Sequence, residues 1–194
     1  MKERYLAGAV PWDDALPPPE VVELVPQLEP GRALDLGCGY GRATIFMVRH
    51  GWQVDGVDFI PDAIAEAARR AEAAGVKGQV CFHLGRVSEL DFLNGRYDFA
   101  LDVGCMHSLD ESELQNYAAG LRRLLRPGAT YLLYARLAEP EPGLDKGPRG
   151  IPEQTVKTLF ANGFDLERFI PGETTVEDQP VWSSAWFYFR RKAD

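Results

Sequence analysis

From residue 33 to residue 135, short apolar runs alternate with stretches of helical spacing. Ala33-Leu34-Asp35-Leu36 reads as a strand and stops at glycines. Thr44 to His50 continues as a helix, and Gly51 suits the left-handed position just past its C-terminus. Val54 to Val57 is a second strand. Pro61 suits the first turn of the next helix, whose alanine-rich body runs to about Ala74 with Gly75 after it. Gln79 to Leu84 predicts a third strand, and Tyr97 to Val103 a fourth that is largely apolar. Asp110 with Glu113 reads as a helix N-cap with a reciprocal partner three residues on. That helix is expected to reach Leu125, to end at Pro127-Gly128, and to be followed by a fifth strand from Ala129 to Ala135. A helix from about Pro152 to Ala161 and two strands, Phe164 to Ile170 and Val181 to Arg190, complete the pattern.

Strands and helices alternating at this spacing imply parallel strands joined by right-handed crossover helices. The last two strands, joined by a loop, suggest an antiparallel addition at the sheet edge. Proline- and glycine-rich stretches at Pro17–Pro19, Glu139–Pro148 and Pro171–Pro180 are too short for interdomain linkers and read as loops. A chain of 194 residues fits one domain. Composition excludes little beyond disorder: 45% of the residues are hydrophobic and 26% charged. No apolar run approaches the roughly 20 residues of a membrane span. Met1 to Val10 carries charge but no long apolar core, so no secretory signal is expected and the cytoplasm is the default location. Cys38, Cys81 and Cys105 form neither a disulfide framework nor a zinc pattern and read as reduced, small buried residues. The net charge of −8 repels phosphate backbones, which argues against nucleic acid as a partner.

The candidate chemistry lies at Leu34-Asp35-Leu36-Gly37-Cys38-Gly39-Tyr40-Gly41-Arg42, followed by a helix. Glycines let the backbone turn sharply and let a ligand approach, and the helix N-terminus presents free N–H groups beside it. Such strand-turn-helix units bind nucleotide-like molecules at the carboxyl ends of the strands. The dinucleotide fingerprint is G-x-G-x-x-G, whereas here the spacing is G-x-G-x-G and residue 42 is Arg. Asp35, just inside the strand, favours the sulfonium and amino group of S-adenosylmethionine (SAM) and would repel a diphosphate. Asp58 ends the second strand about 20 residues beyond the glycines, where ribose hydroxyls lie; this feature alone does not separate SAM from NAD.

These residues resemble the class I SAM-dependent methyltransferases over nearly the whole chain. Gly37, Gly39 and Gly41 match the family's first motif and Asp58 its ribose-binding acid. Tyr97–Asp102 resembles the fourth-strand motif, and Leu124–Ala129 the turn before the fifth strand. The segment Gly8–Asp13, with Pro11-Trp12-Asp13, is similar to the thiopurine, thiol and halide methyltransferase branch and to tellurite-resistance relatives. The resemblance implies an α/β, Rossmann-like three-layer sandwich with a seven-stranded, mostly parallel sheet and an antiparallel C-terminal strand. It implies one domain over residues 1–194: a cofactor-covering segment at 1–30, a SAM-binding core at 31–136, and a substrate loop, helix and antiparallel strands at 137–194. The cofactor contacts expected are Trp12, Asp35, Gly37, Cys38, Gly39, Gly41, Asp58, Phe59, Arg86, Val87 and Asp102. One departure stands out: Arg86 occupies the place where the family often has an Asp that accepts from the adenine amino group, and Arg accepts no hydrogen bond. The backbone at Arg86-Val87 is then the expected holder of the adenine edge.

Methyl transfer is an in-line displacement, so the enzyme mainly aligns the acceptor and excludes water. A thiolate or halide needs little or no base, while a hydroxyl or amine usually loses a proton. The acceptor is expected beyond the fourth strand, near Gly104–His107. His107 is the candidate base or orienting group, with a hydrogen-bonded structural histidine as the competing reading. Tyr5 and Trp12 are candidate lid residues, and Arg136, at the end of the fifth strand, is a candidate contact for an anionic substrate. Trp182, Trp186 and Tyr188 alternate on one strand face and read as core. The expectation is a SAM-dependent enzyme that methylates a small thiol, halide, hydroxyl or amine, releasing S-adenosylhomocysteine. No metal, nucleic acid or membrane partner is expected, and the protein is expected to be a monomer or homodimer. A catalytically silent SAM-binding protein and, more distantly, an NAD-linked oxidoreductase are the alternatives.

Overall fold

The computed structural model describes residues 15–138, 150–176 and 180–193. Its seven strands lie in the sheet order β3-β2-β1-β4-β5-β7-β6, and the chain divides into two compact units, Met1–Val87 and Ser88–Asp194.

The first unit contains β1 (Arg32–Leu36), β2 (Gln53–Asp58) and β3 (Val80–Leu84). All run parallel, with Ala33 opposite Val54 and Val54 opposite Val80. Helix α1 (Pro19–Leu24) precedes them, α2 (Arg42–Arg49) joins β1 to β2, and α3 (Pro61–Ala73) joins β2 to β3. Ala33, Leu34, Leu36, Met47, Trp52, Val54 and Val57 form the core. In α3 the buried positions are Ala63, Ala67 and Ala71, a spacing of four that puts them on one face. Their small side chains let the helix approach the strands closely. Pro61 does open α3, and Gly51 and Gly75 follow the caps of α2 and α3 with φ of +90° and +72°.

The second unit holds β4 (Tyr97–Val103), α4 (Glu111–Leu124), β5 (Leu125–Arg136), α5 (Glu153–Ala161), β6 (Phe164–Thr174) and β7 (Trp182–Arg191). Strands β4 and β5 are parallel, whereas β7 is antiparallel to both β5 and β6. Aromatic rings fill the core: Tyr131 stacks on Phe189 with centroids 5.7 Å apart, and Phe160 meets Phe164 edge-on at 5.5 Å. The capping box at α4 is present, with the Asp110 carboxylate accepting from Glu113 N–H at 2.9 Å and Glu113 accepting from Asp110 N–H at 3.1 Å.

Two boundaries differ from the sequence reading by more than two residues. Strand β5 begins at Leu125, so Pro127-Gly128 lies inside it and not before it. Leu125 pairs with Tyr97, the register shifts between Tyr97 and Phe99, and Gly128 absorbs the irregularity at φ +80°. The proline still explains the helix end, because the residue before a proline is driven out of the helical region. Strand β6 continues past Ile170 to Thr174, with Pro171 opposite Ala185. A proline is accommodated there because β6 is the last strand of the sheet, and its missing N–H costs no ladder bond on the open side.

Candidate functional site

The glycine-rich turn after β1 is tied down by the end of β2. Gly37 N–H and Cys38 N–H both donate to Val57 C=O, at 2.8 and 3.0 Å, and Gly39 N–H donates to Asp58 Oδ2 at 3.0 Å. Gly37, Gly39 and Gly41 take φ of +70°, +53° and +78°, a region that side chains resist. Gly41 has a second constraint: an added Cβ would lie 3.1 Å from Phe82 Cζ and 3.2 Å from Ala67 Cβ. The glycine at the N-cap of α2 therefore serves both backbone conformation and the seating of the helix on β3 and α3.

Asp35 is 3% exposed and accepts a 2.6 Å hydrogen bond from the Thr44 hydroxyl. Burial pushes its carboxyl up to about 6, with a smaller upward push from the Asp58 charge. A carboxylate held out of water in this way gains from a cation more than an exposed one does. Asp58 is also buried, and desolvation raises it, opposed by backbone N–H groups. Its Oδ1 accepts from Ile60 N–H at 2.9 Å and its Oδ2 from Gly39 N–H. Each carboxylate oxygen retains a further lone pair for a hydroxyl donor.

Strand β3 brings Leu84 opposite Asp58, and Gly85 N–H donates to Asp58 C=O at 3.0 Å. Phe59 and Leu84 are large apolar side chains left 50% and 58% exposed beside that acid. Sequence reasoning singled out Phe59 but not Leu84, whose exposure has no signature in an apolar run. Arg86 is exposed and Val87 buried. These features fit an adenosyl group: buried acids for its polar end and exposed apolar surface for its ring.

In the second unit, Asp102 is fully buried at the end of β4. Its carboxylate accepts from Cys105 N–H at 2.7 Å, Met106 N–H at 3.0 Å and Tyr117 Oη at 2.7 Å. Tyr117 Oη lies 2.9 Å from Tyr131 Oη. Through these bonds the Asp102 carboxylate fixes the turn after β4. Nothing in the sequence tied Tyr117 or Tyr131 to this acid.

That turn carries His107. Its Nδ1 accepts from Arg136 N–H at 3.2 Å, so in the neutral ring the proton resides on Nε2. Burial, and then the Arg136 charge, lower the imidazole to about 4. The ring is therefore neutral near pH 7, a hydrogen-bond donor at Nε2 and a weak base. Gly104, at φ +87°, opens the turn, and a Cβ there would approach His107 Cε1 to 3.4 Å.

Arg136 ends β5 with its guanidinium over the Trp182 ring at 4.9 Å. Trp182 Nε1 donates to Tyr134 Oη at 3.3 Å, and the Tyr134 and Trp186 rings lie 5.2 Å apart. Trp182 therefore belongs to a partly exposed cluster with Arg136 and is not simply core. Trp186 is buried, as expected, and Tyr188 is part-exposed.

Tyr5, Trp12 and most of the expected substrate loop, residues 139–149, lie outside the described residues. Of the cysteines only Cys38 is buried; Cys81 is exposed and Cys105 intermediate, because each stands where its strand or turn meets solvent. Asp55, Cys81 and His83 present ligand atoms within 4.8 Å of one another, and Asp55 already bonds His83 at 2.7 Å and Arg32 at 3.0 Å.

A methyltransferase-domain family profile matches residues 33–128. The chain is 28% identical over 169 residues to the 2-heptyl-1-hydroxyquinolin-4(1H)-one methyltransferase of Mycobacteroides abscessus, covering 86% of this chain and 73% of that protein. Further curated relatives are matched over 37% to 48% of their own length. The fold is that of TehB from Haemophilus influenzae (TM-score 0.80, 17% identity, 99% of this chain and 68% of that one). It is equally that of the Burkholderia thailandensis 1,6-didemethyltoxoflavin-N1-methyltransferase, solved with 1,6-didemethyltoxoflavin and S-adenosylhomocysteine (TM-score 0.71, 23% identity, 98% and 85%). With the matched profile, the sheet order and a glycine turn clasped by an acid at the end of β2, the chain belongs to the class I SAM-dependent methyltransferases, whose methyl donor is S-adenosylmethionine.

Proposed function

We propose that this protein methylates a small-molecule acceptor and that the residues around the post-β4 turn hold it. The observation that carries the reading is the clasp between Gly39 N–H and the buried Asp58, with buried Asp35 beneath the same turn. In this reading Asp58 accepts from ribose hydroxyls, Asp35 opposes the cationic end of the cofactor, and Phe59, Leu84 and the Arg86-Val87 backbone border the adenine. A diphosphate would meet two buried carboxylates, which disfavours a dinucleotide. When bound, SAM supplies an electrophilic methyl on a good leaving group, so the protein has to align the acceptor and exclude water.

The turn held by Asp102 and Tyr117 sets the position of His107. Because His107 is neutral, with its proton on Nε2, it acts as a donor that orients the acceptor and not as the group that removes a proton. Residues 1–194 form a single domain in this account, with residues 1–30, including Tyr5 and Trp12, as the cofactor-covering segment. A monomer or homodimer in the cytoplasm is the accompanying expectation. Two relatives support a small acceptor by name, one a hydroxyquinolinone methyltransferase and one solved with 1,6-didemethyltoxoflavin. A panel of thiols, halides, amines and phenols, scored by S-adenosylhomocysteine formation, tests the proposal. Turnover of at least one class is expected; tight SAM binding with no turnover of any class would favour the catalytically silent alternative.

A further inference from the structure

Among the described residues, the Arg136 side chain has neither a hydrogen-bond acceptor nor a carboxylate partner, and its Nε is buried. This is an unusual condition for a guanidinium, which carries five donors and is ordinarily exposed or paired. An unsatisfied buried donor on a charged group is costly, and such groups are kept where a ligand completes them. The side chain is also held in place. Its Cζ lies over the Trp182 ring, 4.9 Å from the centroid, and a cation–π contact preorganises a guanidinium without using its N–H groups.

Its neighbours have matching chemistry. Trp182 is fixed by its bond to Tyr134 Oη, which lies 2.6 Å from Thr174 Oγ1, itself 2.8 Å from Ser184 Oγ. Tyr134 packs on Trp186. The backbone of Arg136 donates to His107, leaving His107 Nε2–H as a second donor. These residues combine a fixed positive charge, a neutral donor and aromatic faces at the carboxyl ends of β4 and β5. We propose that Arg136 selects a planar aromatic acceptor bound as its anion, a phenolate-like oxygen or a thiolate, and is the specificity-determining residue of the reaction proposed above, on which this inference rests.

The proposal accounts for the absence of a usable base at His107. An acceptor that binds ionised has already released its proton to bulk water. On transfer, its lone pair becomes the new bond to the methyl carbon, the methyl–sulfur pair returns to sulfur, and the negative charge cancels the sulfonium charge. No proton remains for a side chain to remove.

Calorimetry on protein saturated with S-adenosylhomocysteine tests this directly, using 4-nitrophenolate and 4-nitrothiophenolate against neutral 4-nitroaniline. The anions are expected to bind at least about tenfold more tightly, the scale of one charge-assisted hydrogen bond. Arg136→Gln should abolish that preference while S-adenosylhomocysteine affinity changes less than about twofold. Should the Gln variant fail to fold, Arg136→Lys serves instead: it keeps the charge but loses the planar stack, and should retain only part of the preference. Equal binding of anion and neutral probe, failure of the anions to bind the loaded protein, or a preference that survives Arg136→Gln would overturn the inference. Failure of S-adenosylhomocysteine itself to bind would instead overturn the methyltransferase reading.

Discussion

At the scale of single residues, the account turns on two buried acids and one neutral histidine. Asp58→Ala removes the clasp on Gly39 and the acceptor for ribose hydroxyls, and should weaken SAM binding by roughly 1–3 kcal/mol in a calorimetric titration. Asp35 adds a pH dependence. Its folded-state carboxyl lies near 6 against an ordinary 3.8, so folding favours its protonated form. The associated stability is present below about pH 4 and is lost as pH rises to about 6. A cation beside it favours the ionised form, so SAM affinity should rise with pH up to about 6 and then level off, by at most tenfold per pH unit. Burial raises Asp58 as well, so Asp35→Asn should shrink the step and not erase it; an unchanged step would contradict the role of Asp35. His107, lowered to about 4, should leave no inflection between pH 6 and 8 in kcat. An inflection near 6.5 that disappears in His107→Ala would restore it as a base. The acids were legible in the sequence because Asp35 lies one residue before the end of β1, next to the glycine-rich turn, and Asp58 ends β2. The histidine's tautomer was not, since it depends on a backbone N–H from residue 136.

At the scale of elements, the turns hold the strain and the caps hold the ends. Gly41→Ala combines a left-handed φ with contacts at 3.1 and 3.2 Å, and should destabilise the protein by roughly 1–2 kcal/mol or more in urea unfolding. Tyr117→Phe leaves Asp102 with one donor fewer in a fully buried site and should cost about 1–3 kcal/mol by the same measurement. It should also lower kcat by loosening the turn that carries His107. The helices and strands were legible wherever punctuation was local: Gly51, Pro61, Gly75 and the Asp110–Glu113 box each mark an end that the structure keeps. The misplaced boundaries share one cause. Pro127-Gly128 and Pro171-Gly172 look like stops in sequence, but the first is carried inside β5 as an irregularity between the pairs Tyr97–Leu125 and Phe99–Thr130, and the second is paired with Ala185 and Ser184. Pairing partners are distant in the chain, so local signals could not disclose them.

At the scale of the whole molecule, the alternation of apolar runs and helical spacing was enough to anticipate the strands and an antiparallel addition at the C-terminal edge, because each βα unit announces itself within about 30 residues. What escaped the sequence was how side chains meet across strands: the Asp102–Tyr117–Tyr131 network and the Arg136–Trp182 stack join residues 14 to 46 positions apart. No helix among the described residues is long and apolar enough to cross a membrane. The most direct test of the central claim is calorimetric titration of the whole chain with SAM, S-adenosylhomocysteine and NAD in parallel. The account predicts one site for each adenosyl sulfur compound, lost or strongly weakened in Asp58→Ala, and no binding of NAD. Saturable binding of NAD, or no binding of SAM, would contradict it.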